Sequence, residues 1–411
     1  MPTVGAPDLF LVGFGGERES ALLASRQHAC RLASPGLWSP FPGGLDLALD
    51  TKRCKTRDMT NTATAKVAAN PRRSGKKDLD RGLVAASKEF AVESKARSWW
   101  HLFETLGILS LLTAVAVYPF PDWIRLLSSV LAGLVWVRGF ILFHDYMHGA
   151  ILRQSTPAKW IMYTFGLLVL TPPNVWRQTH NYHHAHNAKI VGSNVGSFLT
   201  VTVDMWRAMK PRQRLYYRIA RSPALIAAGY LTVFVFGMCV ASFVRNPRKC
   251  WDSLLALLVH GGLLAALWLY FGPFTMFCAL LLPLLVAHAL GAYLFYAQHN
   301  FVGVHLQPRH EWNYTRSAIQ SSSYMKMPAI LHWFTGNIGY HNVHHLNHRI
   351  PFYRLPEALE ALEPLHKSPT TTLWPTDVAA CLRLKVWDPN QEKMLSFKEL
   401  RQTLEARSAA A

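Results

Sequence analysis

Residues 123–148 read WIRLLSSVLAGLVWVRGFILFHDYMH. The apolar run 123–143 is about long enough to span a bilayer as a helix. It ends on HDYMH, where His144 and His148 stand four apart. On a helix, positions i and i+4 share one face, so both imidazoles can reach a single metal centre. A membrane-length helix that delivers two ligands at its end constrains fold and chemistry together.

Working outward, an apolar run at 102–118 precedes it, separated only by PFPD. Downstream, 160–170 is too brief to cross and reads as interfacial or re-entrant. Three further runs follow at 224–244, 254–271 and 274–296, the last two joined by Gly272 and Pro273 as a tight helical hairpin. Charge sets the orientation, because short cytoplasmic loops collect Lys and Arg. Arg207, Lys210, Arg212, Arg214, Arg218 and Arg221 precede 224–244, and Arg245, Arg248 and Lys249 follow it. Both flanks of that run therefore belong on the cytoplasmic side, and 224–244 is expected to lie in-plane or re-entrant rather than cross. PFPD and Gly272–Pro273 lack basic residues, as non-cytoplasmic turns do; Arg125, near one of them, is expected to snorkel. The expectation is an all-α membrane protein with four transmembrane helices in two hairpins. Interfacial or re-entrant helices and a cytoplasmic helical cap carrying the histidine clusters complete it. The competing arrangement is a six-span bundle.

Composition agrees. Hydrophobic residues make up 50% of the chain and charged residues 16%, against about a quarter charged in typical soluble domains. Disorder as the main state is excluded. Cys30, Cys54, Cys239, Cys250, Cys278 and Cys381 show no CxxC spacing, which argues against a disulfide scaffold or zinc ribbon and fits a reducing compartment. The net charge of +19 leaves a membrane protein or a nucleic-acid binder, but no helix-turn-helix or aromatic-basic module supports the latter. Residues 1–97 hold 16 Lys+Arg and 10 Asp+Glu with no long apolar run, and read as a disordered basic tail without a signal-peptide pattern. Within it, Met59 opens MTNTATAKVAANPRRSGKK, an ordinary polar start, so translation is expected to begin there. Residues 98–363 then form the membrane domain and 364–411 a cytoplasmic C-terminal extension.

Two further clusters repeat one spacing. HNYHH supplies His180, His183 and His184, and HNVHH supplies His341, His344 and His345. At this histidine content HxxHH arises by chance about 0.04 times per chain. Eight imidazoles exceed what one zinc needs, so two metal ions are the natural reading. His299, in FYAQHNFVG just after the last apolar run, emerges on the same side and makes a ninth candidate. Ligand type alone leaves iron, copper, nickel and zinc open. A hydrolytic zinc site would bring carboxylates or HExxH, which is absent; two redox metals with open positions suit dioxygen chemistry. Asp145, Asn181 and Asn342, each beside a candidate ligand, are either ligand-orienting partners or ordinary polar groups. His260 and His288, inside apolar runs, read as satisfied core histidines rather than a haem pair.

These boxes resemble those of the membrane fatty acid desaturase family, which has HxxxH, HxxHH and HxxHH. The strings WRQTHNYHHAHN, YAQHNFVG and GNIGYHNVHHLNHRIPFYRLPE resemble its acyl-lipid, omega-6-like branch, and the likeness runs from about Trp99 to Glu363. The resemblance implies a di-iron centre that uses O2 as co-substrate. It gives His144, His180, His184 and His341 to one iron, and His148, His183, His299, His344 and His345 to the other. Where some animal relatives carry Asn four residues before the ninth histidine, this chain has Phe295, which argues against a water-mediated contact there. The implied activity introduces a cis double bond into the acyl chain of a fatty acid or acyl lipid. No HPGG motif or cysteine cluster is present, so electrons are expected from an external donor, ferredoxin-like or cytochrome-type. A basic cytoplasmic surface favours an acidic one. The competing readings are a hydroxylase or ketolase of an acyl chain, alkane or carotenoid, and a non-enzymatic membrane metal- or haem-binding protein.

Overall fold

The computed structural model describes residues 80–191 and 195–409. Most of the tail, with the start at Met59, lies outside them. Residues 80–97, which composition assigns to the tail, are ordered: 80–90 is helical, and Leu83 and Phe90 are buried.

Four helices among the described residues are long and apolar enough to cross a membrane. They are α1 (Lys95–Val117), α2 (Asp122–His148), α6 (Trp251–Phe271) and α7 (Pro273–Ala297). Helix α1 begins earlier than its apolar run because the Ser94 side chain caps it, accepting from the Arg97 N–H at 3.5 Å. Pro119 and Pro121 stop α1 and admit α2, and Gly149, at φ 68°, closes α2 in the left-handed conformation. The two shorter runs become α3 (Thr156–Leu168) and α5 (Tyr230–Arg245), which opens on a π-helical stretch, Tyr230–Ala241. Neither is among the four.

Helix α2 is central: 67% of its apolar window is buried, against 11% for α6. It packs against α1 on one side and α7 on the other. The approach to α7 needs Gly133, where a Cβ would sit 2.8 Å from the Pro283 carbonyl oxygen. Arg125 does not snorkel. It is buried, with Nε on the Ala116 carbonyl at 2.9 Å and Nη2 on Thr275 Oγ1 at 2.6 Å, because inward acceptors satisfy it at no cost in reach. Further along α2, Arg138 Nη2 pairs with Glu104 of α1 at 2.9 Å, while Nη1 donates to the Trp333 carbonyl at 2.7 Å. The outer faces stay apolar, with Leu111, Leu258, Leu269 and Tyr270 exposed, as suits helices bathed in lipid.

At the end of α2 that carries the histidines lie α4 (Pro173–His186), α8 (His341–Leu346) and five short strands. These are β1 (Val201–Thr202), β2 (Tyr324–Lys326), β3 (Thr370–Thr372), β4 (Val386–Asp388) and β5 (Lys393–Leu395). Strand β4 pairs parallel with β1 and antiparallel with β5, and β3 pairs parallel with β2. The segment after 363 is therefore woven into this layer, with Trp387 and Asp388 fully buried.

Candidate metal centre

Three helices and one helix exit bring nine imidazoles together. His144 and His148 lie on the last turn of α2; His180, His183 and His184 on α4; His341, His344 and His345 on α8. His299 follows the end of α7 by two residues. Proline at the first position of α4 sets its start without losing a needed donor. Gly196, at φ +68°, lets the following loop lie against α4, where a Cβ would meet the Thr179 carbonyl at 2.5 Å.

The nine fall into two sets: His144, His148, His180, His184 and His344, and His183, His299, His341 and His345. Within each set, ligand nitrogens all lie within 4.8 Å of one another. This grouping corrects the partition that the resemblance implied. His148 and His344 join the first set, and His341 the second, because each i, i+4 pair stays together while the i+3 histidine of each HxxHH crosses over.

In the second set the Nε2 atoms form a closed ring. His183 to His299 is 3.1 Å, His299 to His341 2.9 Å, His341 to His345 3.1 Å and His345 to His183 3.3 Å. In the first, His144 to His180 is 2.9 Å, His180 to His184 3.1 Å and His184 to His344 3.0 Å. With metal–nitrogen bonds of about 2.0–2.1 Å, ligands at right angles lie about 2.8–3.0 Å apart and at tetrahedral angles about 3.3–3.4 Å. The observed edges fall in that range. Both nitrogens of His148 are buried without a hydrogen-bond partner, an arrangement that a metal ion relieves. The residues present fit a pair of metal ions.

The protonation states also fit. A carbonyl can only accept, so His299 Nδ1, 3.2 Å from the Ser321 carbonyl, carries the proton and leaves Nε2 as a lone pair. Asp145 Oδ1 does the same for His144 Nδ1 at 3.1 Å, while its Oδ2 accepts from the Phe352 N–H at 2.7 Å. Burial, followed by neighbouring imidazoles, holds His180, His183, His184, His341, His344 and His345 well below the ordinary histidine range. Burial takes His299 down to about 4. All are neutral at pH 7, as metal ligands must be.

Of the three polar neighbours, Asp145 alone touches a cluster imidazole. Asn342 instead ties α8 to Ser368 Oγ at 2.9 Å, and Asn181 is exposed. His288 lies between the Leu284 and Val169 carbonyls, where its single N–H donates to one of them, and His260 meets the Tyr230 hydroxyl at 2.7 Å, so both are core histidines outside the two sets. Phe295 stands 5.1 Å from the His183 ring. The sequence reading did not find Trp176, stacked on His180 at 4.4 Å, or the Ser321 carbonyl. Trp176 stands four residues before His180, a spacing that could have found it; a backbone acceptor leaves no sequence signal.

The sequence profile of the fatty acid desaturase family matches residues 121–375. The chain belongs to that family of oxidoreductases. It is 32% identical to a fatty acid desaturase of Bacillus subtilis (strain 168) over 280 residues, covering 68% of this chain and 79% of the relative. It is 25% identical to the sn-1 acyl-lipid omega-3 desaturase (ferredoxin) of Nostoc sp. (strain 36), covering 66% and 78%. With the sn-1 oleoyl-lipid 12-desaturase of Synechocystis sp. (strain ATCC 27184 / PCC 6803 / Kazusa) it shares 22% identity over 65% and 76%.

Proposed function

We propose that this protein introduces a cis double bond into the acyl chain of a fatty acid or acyl lipid, using O2 and electrons from an external donor. The balance is R–CH2–CH2–R′ + O2 + 2 e⁻ + 2 H⁺ → R–CH=CH–R′ + 2 H2O. The observation that carries this reading is the closed Nε2 ring of His183, His299, His341 and His345 beside a five-imidazole set. One iron is assigned to each set. Bound there, two irons would supply the redox chemistry by which O2, the oxidant, takes hydrogen from an unactivated C–H bond.

The chain's own residues do the rest. Asp145 and the Ser321 carbonyl fix the tautomers of His144 and His299. Burial of His180, His183, His341, His344 and His345 favours their neutral form. A small cavity against His183 and His299 is lined by Phe198, Phe295, Ile190 and Leu306 together with Lys189, Thr200, Arg221 and Asn300, a mixed surface beside the four-histidine set. In this reading the spans form two hairpins, the histidine boxes face the cytoplasm, and residues 98–363 are the catalytic membrane domain. The segment 364–411 is its cytoplasmic extension, and 1–79 a tail. The acyl-lipid, omega-6-like branch is the one whose strings the boxes resemble. Partners are the lipid and the electron donor; no nucleic acid is required.

The test is expression in a host lacking polyunsaturated lipids, with metal analysis of the purified protein. New double bonds and two irons per chain are expected. An alcohol in place of an alkene would move the assignment to a hydroxylase.

A further inference from the structure

Two of the openings that reach the histidine sets differ in size and in exposure to solvent. The one beside the four-histidine set is the small cavity lined by Phe198 and Phe295. The other is an open pocket of ≈ 530 Å³ with His148 and His184 of the five-histidine set in its lining. Arg153, Arg177 and Arg349 also line it, and no aspartate or glutamate does. Each arginine comes from the neighbourhood of a different histidine box: Arg153 lies five residues after His148, Arg177 three before His180, Arg349 four after His345.

All three arginines are exposed, and none joins an ion pair among the described residues. The hydrogen-bond partner of Arg177 on the α3 side is neutral, the Tyr163 hydroxyl at 3.1 Å. Like charges gathered in one concavity without a counter-ion repel one another and focus a positive potential outward. Such a surface is complementary to an anionic partner. His348 also lines the pocket, its ring 4.6 Å from His148 and 5.2 Å from His184. A partner seated on the arginines would be separated from the five-histidine set by little more than one layer of imidazoles.

The geometry points to this pocket as the docking site of an acidic, one-electron redox protein that supplies the metal centre. The inference rests on the desaturase reading. That reading requires a reduced carrier, and this opening joins three cations, no carboxylate and two imidazoles of the five-histidine set in one lining. Electrons need only a short path and a partner held by charge. Two reduced carriers each lose one electron here. Those electrons, with O2, two protons and two C–H hydrogens, balance as two waters and one double bond, and the carriers depart oxidised.

The test uses the full-length holoenzyme in detergent, reduced either by a plant-type [2Fe–2S] ferredoxin or by the methyl viologen radical, a small cation. The readout is oxidation of the reductant in stopped flow, which does not depend on a product being formed. In Arg153→Glu and Arg349→Glu, the ratio of ferredoxin-driven to viologen-driven reduction should fall on the order of tenfold. The wild-type ferredoxin rate should drop with added salt as the Debye length shrinks to about 10 Å at 0.1 M. An unaltered ratio in the double variant would overturn the assignment. So would a rise in KM for the acyl substrate under viologen, since that would make the pocket a seat for the lipid's anionic head. If electrons enter as expected and no double bond forms, the docking assignment stands and the desaturase reading fails.

Discussion

His184 and His288 are both buried imidazoles, but their nitrogens face different things. His184 Nε2 sits 3.1 Å from His180 Nε2 and 3.0 Å from His344 Nε2, whereas His288 lies between two backbone carbonyls and donates to one of them. His184→Ala should therefore abolish desaturation and lower the iron content while the protein still inserts. His288→Ala should keep most activity and lose about 1–3 kcal/mol of stability through the carbonyl left without its donor. Metal analysis, product chromatography and thermal unfolding in detergent separate the two, and full desaturation by purified His184→Ala would sink the di-iron assignment. Spacing alone identified eight of the nine clustered histidines, because a 3.6-residue period fixes which side chains share a face; His299 came from its place just after the last apolar run. Which set each joins was not legible from the resemblance. Geometry keeps His144 with His148 and His341 with His345, since i, i+4 neighbours point the same way, and sends His183 and His344 across.

At the scale of elements, Arg138 shows how the spans are tied together beneath the site. It joins Glu104 and Thr105 of α1 to the Trp333 carbonyl, with its guanidinium 4.3 Å from the Trp333 ring centre. Arg138→Met removes a charge-assisted bond at each contact and leaves Glu104 with only His101 Nδ1, at 3.3 Å. Glu104 keeps 26% of its side chain exposed, so the expected loss is about 3 kcal/mol, at the low end for a broken buried pair. Thermal unfolding of the variant in detergent measures it, and a melting temperature equal to wild type would refute the clamp. The helices were legible because apolar runs of membrane length announce themselves. The strands were not: β1 to β5 hold two or three residues each, too few for alternation, and the parallel partners lie far apart in sequence. Arg125 was misread because hydropathy does not reveal a carbonyl or hydroxyl on a neighbouring helix.

For the whole molecule, the proposed two-hairpin topology makes a prediction about sidedness. Phe120 and Tyr270 are exposed near the turns of the two hairpins, and Arg349 is exposed beside the boxes. In a variant freed of its native cysteines, Phe120→Cys and Tyr270→Cys should react with an impermeant thiol reagent from outside intact cells. Arg349→Cys should react only after the cells are opened. Labelling of Arg349→Cys from outside would reverse the orientation. Cys239, Cys278 and Cys381 are buried, so their removal by small apolar residues should be tolerated.

The paired strands have a consequence for the order in which the protein is made. Strand β1 finds its partner only when residue 386 has been synthesised, and β2, close before the last histidine box, waits for residue 370. The clustered histidines themselves are spread from His144 to His345, so a nascent fragment that ends before His345 lacks part of a set. The spans can enter the bilayer one after another during translation, but the layer that frames the imidazoles closes only near the end of the chain. On the proposed metal-centre reading, the frame around both sets is therefore a late product of synthesis, and a polypeptide cut short before residue 386 leaves β1 unpaired.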